Sequence, residues 1–462
     1  MAHIKDATMV MASDFNAELP RLLEDDNADV RAMAAEAVGT SKLFSLTPAL
    51  KKCCVDKEAK VVRAAMLAVS EWGEAGEALI DEVSAALQHP SFLVLPVAIK
   101  ALACMGSDKA VAHADSVVPL LCHEESMTRD AAVSFFELCG SSAASTADSI
   151  VKNVGHSDGR FAAASALALG HVRAKQYASE VAKLLENDYV DTISIAFYAA
   201  GVEPKLPVVF RRPACAAAFA LALMGEEGAA FGAAVAKKIT DDLPAEARAC
   251  LISVVGMMHE PQSQARIFSF LEDSSAPVRA AAAEALGEYA SVGETAELAQ
   301  AVAAKLKDHH PSVRQAAVAA LGRMPTEGRQ YTDAIMQLFK DRVQGVQVAA
   351  VQAMALMGER GQMYAKQVAL LLKSEGLDIR IAAMEVLASM GQRGASFAEE
   401  VAELLEDESP DVRCAAVKAL GAMQAEGAEF RSQIMAVAAL DPEEEVREAA
   451  DAAVAALKAS QY

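Results

Sequence analysis

The residue types that do chemistry are present in this chain but scattered. Its eight cysteines are Cys53, Cys54, Cys104, Cys122, Cys139, Cys215, Cys250 and Cys414. A zinc ribbon or a dithiol redox centre needs two cysteines separated by two residues, and no such pair occurs. The adjacent Cys53-Cys54 offers a redox-sensitive thiol pair, whereas Cys104, Cys139 and Cys250 lie in apolar strings and read as small core residues. Histidine beside glutamate is a ligand pair for a metal ion, and it occurs twice, at His123-Glu124 and His259-Glu260. His309-His310 stands in a turn before Pro311, with nothing nearby to complete a coordination shell. Gly-x-x-Gly recurs at Gly73/Gly76, Gly225/Gly228, Gly358/Gly361 and Gly391/Gly394 without the Gly-Lys-Ser/Thr of a phosphate loop, so it reads as a turn device. The sequence therefore predicts no catalytic residue, no metal and no cofactor.

Charge says more. The 462 residues carry 42 Lys+Arg against 63 Asp+Glu, a formal net charge of −21. Phosphate neutralisation needs a basic surface, so this balance argues against a nucleic-acid binder and against a binder of anionic lipid. With 53% hydrophobic residues the chain buries a core and is not disordered. No run of 18 apolar residues is present, which predicts no membrane insertion. The start, Met1-Ala-His-Ile-Lys-Asp, lacks the basic and apolar regions of a secretory signal, which predicts a cytoplasmic protein with reduced thiols.

The pattern that remains is repetition. Asp29-Val30-Arg31-Ala-Met-Ala-Ala-Glu-Ala-Val-Gly39 recurs at Pro277 to Gly287, at Val313 to Gly322 and at Asp411 to Gly421. Further copies centre on Arg63, Arg129, Arg160, Arg248, Arg380 and Arg447, and degenerate ones put Ala98, Thr192 and Gln347 in the arginine slot. With the apolar string Ala214 to Met224 the total is about fourteen, or 33 residues per unit. Tyr331, Tyr364, Phe397 and Phe430 follow the same 33-residue period, each three residues after a glycine. Each unit reads as Gly, a first helix opening on an aromatic, a Pro/Asp turn, and a second helix rich in small residues. Val401, Leu404 and Leu405 form the i, i+3, i+4 stripe of such a first helix. Gly421 and Gly427 are expected where the backbone opens or turns left-handed at a helix exit. No unit can bury its apolar face alone, so neighbours must stack.

Period and wording resemble HEAT repeats, most of all the short form named after phycobilisome-lyase subunits. The resemblance implies an all-α fold: a right-handed α-α superhelix of about fourteen helix pairs, capped by Asp6 to Glu24 and by the acidic segment from Asp441. It also implies an Asp/Arg ladder between repeats, and Asp29/Arg31, Asp378/Arg380, Asp411/Arg413 and Glu445/Arg447 fit that slot. Deoxyhypusine hydroxylase builds an iron site on such repeats from four His-Glu pairs. This chain has two, outside that family's Gly-His-Glu-Ala-Ala context.

The register breaks once, across Val202-Glu-Pro204-Lys205-Leu-Pro207-Val-Val-Phe210-Arg211-Arg212-Pro213, where three prolines preclude a regular helix. The expected organisation is therefore one continuous solenoid: repeats over 1–201, an irregular insertion over 202–213, and repeats over 214–462. Lys205, Phe210, Arg211 and Arg212 are candidate partner contacts, because loops on rigid scaffolds carry function. A second candidate is the stripe one and five residues after each arginine slot. Its middle third is apolar, with Ile99, Phe161, Ile193 and Phe197, and forms a groove if the curvature leaves it open. The expected function is a non-catalytic scaffold or adaptor within a larger complex. It holds a protein partner along its concave face, and the acidity favours a partner with a basic segment. The alternatives are a bilin lyase subunit, implied by the repeat subclass alone, and a structural part of a cytoskeletal or ciliary assembly.

Overall fold

Alanine-rich strings with valine or leucine every third or fourth residue leave the backbone little choice but the helix. A computed structural model describes residues 18–189, 210, 212–290, 296–324 and 326–459, and every element among them is helical. The chain forms two compact units, residues 1–238 and 239–462. In the first, the second helices of successive repeats are α1 (Ala28–Thr40), α2 (Ala59–Trp72), α3 (Leu95–Cys104), α4 (Ser126–Cys139), α5 (Gly159–His171) and α6 (Pro213–Leu223). In the second they are α7 (Ala245–Met257), α8 (Ala276–Tyr289), α9 (Pro311–Arg323), α10 (Gln344–Leu356), α11 (Leu377–Ser389), α12 (Pro410–Ala422) and α13 (Glu444–Ala459). The fourteenth, near Thr192, lies outside the described residues, as does most of the proposed N-terminal cap. The first helices are short, and several tighten into a 3₁₀ turn, as where Thr332–Gln337 runs into Leu338–Lys340. Val401 and Leu405 of the predicted first-helix stripe are buried.

The periodic glycines do two separate jobs. Gly391 has φ +60°, a left-handed conformation that suits glycine, and a Cβ there would meet nothing within 4 Å. Gly394, three residues on, instead presses against the preceding second helix: a Cβ would lie 1.9 Å from the carbonyl oxygen of Leu387. The same contact recurs at Gly228, Gly328, Gly361 and Gly427, each against the carbonyl seven residues earlier. Gly427 is therefore there for close approach, and so is Gly421, whose Cβ would lie 2.9 Å from the Cβ of Ala453. Neither has the left-handed backbone expected from sequence. In that repeat the left-handed position falls to Gln424, φ +50°.

The ladder between repeats exists, but its acids are not those adjacent to the arginines. Arg279 Nη1 donates to the carbonyls of Asp273 (2.8 Å) and Ser274 (3.1 Å) in its own turn. Its Nε and Nη2 donate to both carboxylate oxygens of Asp308, in the turn of the next repeat, each at 2.9 Å. Asp308 Oδ1 in turn accepts the backbone N–H of His310. The same bidentate rung joins Arg31 to Asp56, Arg314 to Asp341 and Arg413 to Asp441. Looser forms join Arg248 to Asp273 and Arg380 to Asp407. Asp29 pairs with Lys60 instead, and Asp378 faces Gln344. The reason is geometric: residues two apart on a helix point to different sides, so Asp29 cannot face Arg31.

Two predictions follow from this geometry. Gly394→Ala must move backbone and should destabilise the second unit by about 3 kcal/mol, whereas Gly391→Ala meets only the left-handed penalty of about 1 kcal/mol; equal losses in thermal denaturation would contradict the assignment. In the rungs, the Arg413 hydrogen bonds hold the Asp441 carboxyl below its usual range. At Asp308, burial alone would raise it, but the Arg279 bonds and the backbone N–H outweigh burial and lower it. Depressed carboxylates stabilise the fold above their ordinary range, and that contribution is lost as pH falls through the folded value. Denaturation midpoints should therefore drop below about pH 4. Asp308→Ala, which strands the buried Arg279, should cost about 3–5 kcal/mol at neutral pH, and an unchanged midpoint would show the rung to be idle.

Candidate protein-binding surface

The residues that suggested chemistry are occupied with turns and packing. His123 Nδ1 accepts the N–H of Glu125 at 3.1 Å, and Glu124 pairs with Arg160 at 3.3 Å. Glu260 caps the N–H of Gln262 at 3.2 Å. His89 and His156 repeat the His123 arrangement, accepting from Ser91 and Asp158, so histidine stands in three consecutive turns where other repeats have aspartate. Among the described residues no three His, Cys, Asp or Glu side chains converge to hold a metal. None of the eight cysteines is joined in a disulfide. Burial pushes the Cys53 thiol up to about 11 and Cys54 up to about 12, which leaves the adjacent pair protonated and poorly reactive at neutral pH.

The apolar candidates turn out to be core. Ile99 is 1% exposed and Phe161 6%. The turn acceptors fix the true register: each rung arginine lies six residues after one, as Arg279 follows Asp273. By that count the slots in the first unit after Arg31 hold Val62, Leu95, Arg129 and Ala162. Arg63 stands one residue late and points to solvent, and Arg160 stands two early and folds back onto Asp158 at 2.6 Å. Phe161 therefore takes the place of Val278 and Val313, the buried residue just before the slot, and Ile99 that of Val318. Phe161 lies under the guanidiniums of Arg129 and Arg160, 5.8 and 5.5 Å from its centroid. A one-face pattern read with a shifted register exchanges core for surface.

Of the irregular segment, Phe210 and Arg212 are half-buried. The Phe210 ring lies 4.8 Å from that of Phe219 and closes a small recess with Arg129, Asp130, Ala163 and Leu167. Ile193, Phe197, Lys205 and Arg211 lie outside the described residues.

The exposed stripe is in the second unit, where the sequence register was right. Glu284, Gln352, Glu385, Lys418 and Glu448, each five residues after its slot or one after it, are exposed on α8, α10, α11, α12 and α13. Between α11, α12 and α13, Glu385 and Lys418 of this stripe border a groove of about 490 Å³, lined also by Ile381, Cys414, Glu443 and Glu445. Arg323 pairs with Glu288 at 3.4 Å farther along. The signal for this surface was in the sequence: charged residues recur at positions that a buried seam would exclude. Glu284 is accessible at its tip, yet surrounding protein displaces water and pushes its carboxyl up, with Arg323 opposing and Glu288 adding to the shift. A raised carboxyl destabilises the fold when ionised, so Glu284→Gln should raise the melting temperature at neutral pH, with the gain vanishing below about pH 4. A loss of stability at neutral pH would contradict this.

Comparison with known proteins agrees with this architecture. A family model described as HEAT repeats matches residues 365–455, and one described as a HEAT repeat associated with sister chromatid cohesion matches residues 291–321. A comparison with curated protein sequences finds no match. Among solved structures, importin beta is similar at a TM-score of 0.60 and 14% identity over 96% of this chain and 67% of that one. Kap121p gives 0.59 and 10% over 96% and 62%, and yeast importin-beta (Kap95p) 0.57 and 14% over 97% and 67%. The chain thus spans about two thirds of the length of these neighbours, and at such identity the likeness shows the fold. Stacked helix pairs and Arg/Asp rungs accord with these matches: residues 291–321 and 365–455 match HEAT repeats, and the fold is that of a HEAT solenoid.

Proposed function

We propose that the chain is a non-catalytic scaffold that holds a basic segment of a partner protein against the second helices of residues 239–462. The observation that carries this reading is the exposed stripe itself. It presents Glu284, Glu385 and Glu448, and at its groove Glu385 is joined by Glu443 and Glu445 around half-buried Ile381, on a chain of net charge −21. Carboxylates above an apolar floor suit lysine and arginine, whose stems are apolar and whose tips are charged. The likeness in fold to importin beta and Kap121p supports a protein-binding role. One of the similar solved structures is a Kap95:Nup1 complex, so a fold of this kind does hold another protein. No described helix is long and apolar enough to cross a membrane, and we assign the protein to the cytoplasm as part of a larger complex.

A lysine- and arginine-rich peptide, titrated by fluorescence anisotropy, should bind the full chain with an affinity that falls as salt rises. Replacing Glu385, Glu443 and Glu445 with Gln should weaken it about tenfold, taking about 0.5 kcal/mol for each exposed ion pair. The same change at Glu399, Glu403 and Glu406, exposed near the first helix of a repeat, should have little effect. Equal effects from both triple variants would leave charge without a location and sink the proposal.

A further inference from the structure

The rungs of the second unit are not equal: Arg248–Asp273 and Arg380–Asp407 are loose, and one rung is lost outright. Arg279–Asp308, Arg314–Asp341 and Arg413–Asp441 are bidentate and buried, with contacts of 2.7–2.9 Å. Between α10 and α11 both members are missing. Gln347 takes the arginine slot and spends its Nε2 on the carbonyl of Asp341 in its own turn, at 2.5 Å. Ser374 takes the aspartate slot and accepts only the N–H of Gly376, at 3.3 Å. The next rung is weakened as well: Arg380 reaches Asp407 at 3.3 Å, and its buried Nε has no partner.

The close glycine contact is also absent at the joint between α10 and α11, as it is at the next, where Ala388 stands eight residues after Arg380. Gly256, Gly287 and Gly421, each eight residues after its slot, let the following helix approach at Ala285, Ala320 and Ala453, where a Cβ would lie 2.6–2.9 Å away. Here those positions hold Ala355 and Val386, so the joint lacks the glycine contact, and Ala355 is exposed. One polar tie crosses on the turn side, Gln344 Nε2 to Asp378 at 3.4 Å and exposed. The first-helix side keeps its ties: Tyr364 donates to Asp333 at 2.5 Å, and Arg360 to the carbonyl of Arg329 at 3.3 Å.

We propose that the junction between the repeat ending in α10 and the repeat ending in α11 is a hinge within the second unit. It is tied along its first-helix side by Tyr364 and free to open at the 374–376 turn. Packed interfaces move between discrete arrangements, and motion concentrates where both polar ties and close backbone contact are absent. Glu284 lies on one side of this joint and the Glu385–Glu445 groove on the other, so opening it changes the spacing of the acidic face. The inference stands on the rungs and the packing, and it holds whether or not a basic segment binds.

Hydrogen–deuterium exchange on the full chain tests it without any ligand. Amides of the 374–376 turn should exchange about tenfold faster than those of the 308–310 and 341–343 turns, since coupled pairs of this kind contribute enough to shift opening by that factor. Gln347→Arg together with Ser374→Asp should bring that turn to the rate of the intact ones, and neither change alone should do so. The reverse pair, Arg314→Gln with Asp341→Ser, should transfer fast exchange to the 341–343 turn. Uniform rates in the unaltered chain, or a folded double variant of either kind that leaves the pattern unmoved, overturns the hinge.

Discussion

One planar group holds this architecture together. The turn between the two helices of a repeat leaves backbone carbonyls without helical partners. The rung arginine satisfies two of them with one nitrogen, and its remaining edge grips a carboxylate in the next repeat. That carboxylate also caps its own turn. Turn formation and repeat stacking are therefore one event, made by a fork that lysine, a single point of charge, cannot imitate. Buried ion pairs are poor sources of net stability, but they are demanding about geometry. Here they fix the spacing of successive repeats, while alanine, valine and leucine supply the burial.

This dependence explains how the repeats decay. Where the slot loses arginine, the facing turn loses aspartate: Val62 faces His89, Leu95 faces His123, Ala162 faces Asn187, and Gln347 faces Ser374. A carboxylate buried without its guanidinium would carry an uncompensated charge. Histidine, asparagine and serine keep the turn cap, accepting an N–H two residues on, without that charge. Arg129, facing His156, is a mixed case. It keeps its grip on the carbonyls of His123 and Glu124 and lies over Phe161.

The sequence made the fold legible because period, glycine spacing and Val-Arg wording are local signals. The partners of the arginines were not legible in the same way. The acid two residues before Arg31 is conspicuous in the string, whereas its true partner, Asp56, lies 25 residues on and shows only once the repeats are stacked. The register of the first unit failed for a related reason. Arg63 and Arg160 look like slot residues but stand one late and two early, and that shift presented the core residues Ile99 and Phe161 as a groove. The turn acceptors would have corrected it, since in these repeats the slot lies six residues after the capping side chain. In the second unit, where most slots keep arginine and most turns aspartate, the slot positions match the rungs, and the exposed face is the one whose charges break the apolar pattern.

The two glycines of each inter-repeat turn carry the same lesson about what a conserved spacing means within one chain. Gly391 serves conformation and Gly394 serves contact, and only the second is bound to the repeat's geometry. The left-handed position accordingly tolerates Gln424, while Gly228, Gly328, Gly361, Gly394 and Gly427 hold their place against a carbonyl that leaves no room for a methyl group. The aromatic ladder follows from this contact. With the turn pressed onto the preceding helix, the residue three positions later emerges half-buried at the start of the first helix. A ring there covers apolar surface and, as in Tyr364, leaves a hydroxyl to reach the neighbouring repeat. Phe231, Tyr331, Tyr364, Phe397 and Phe430 are thus committed to the stacking of repeats, while the second helices of residues 239–462 expose charge.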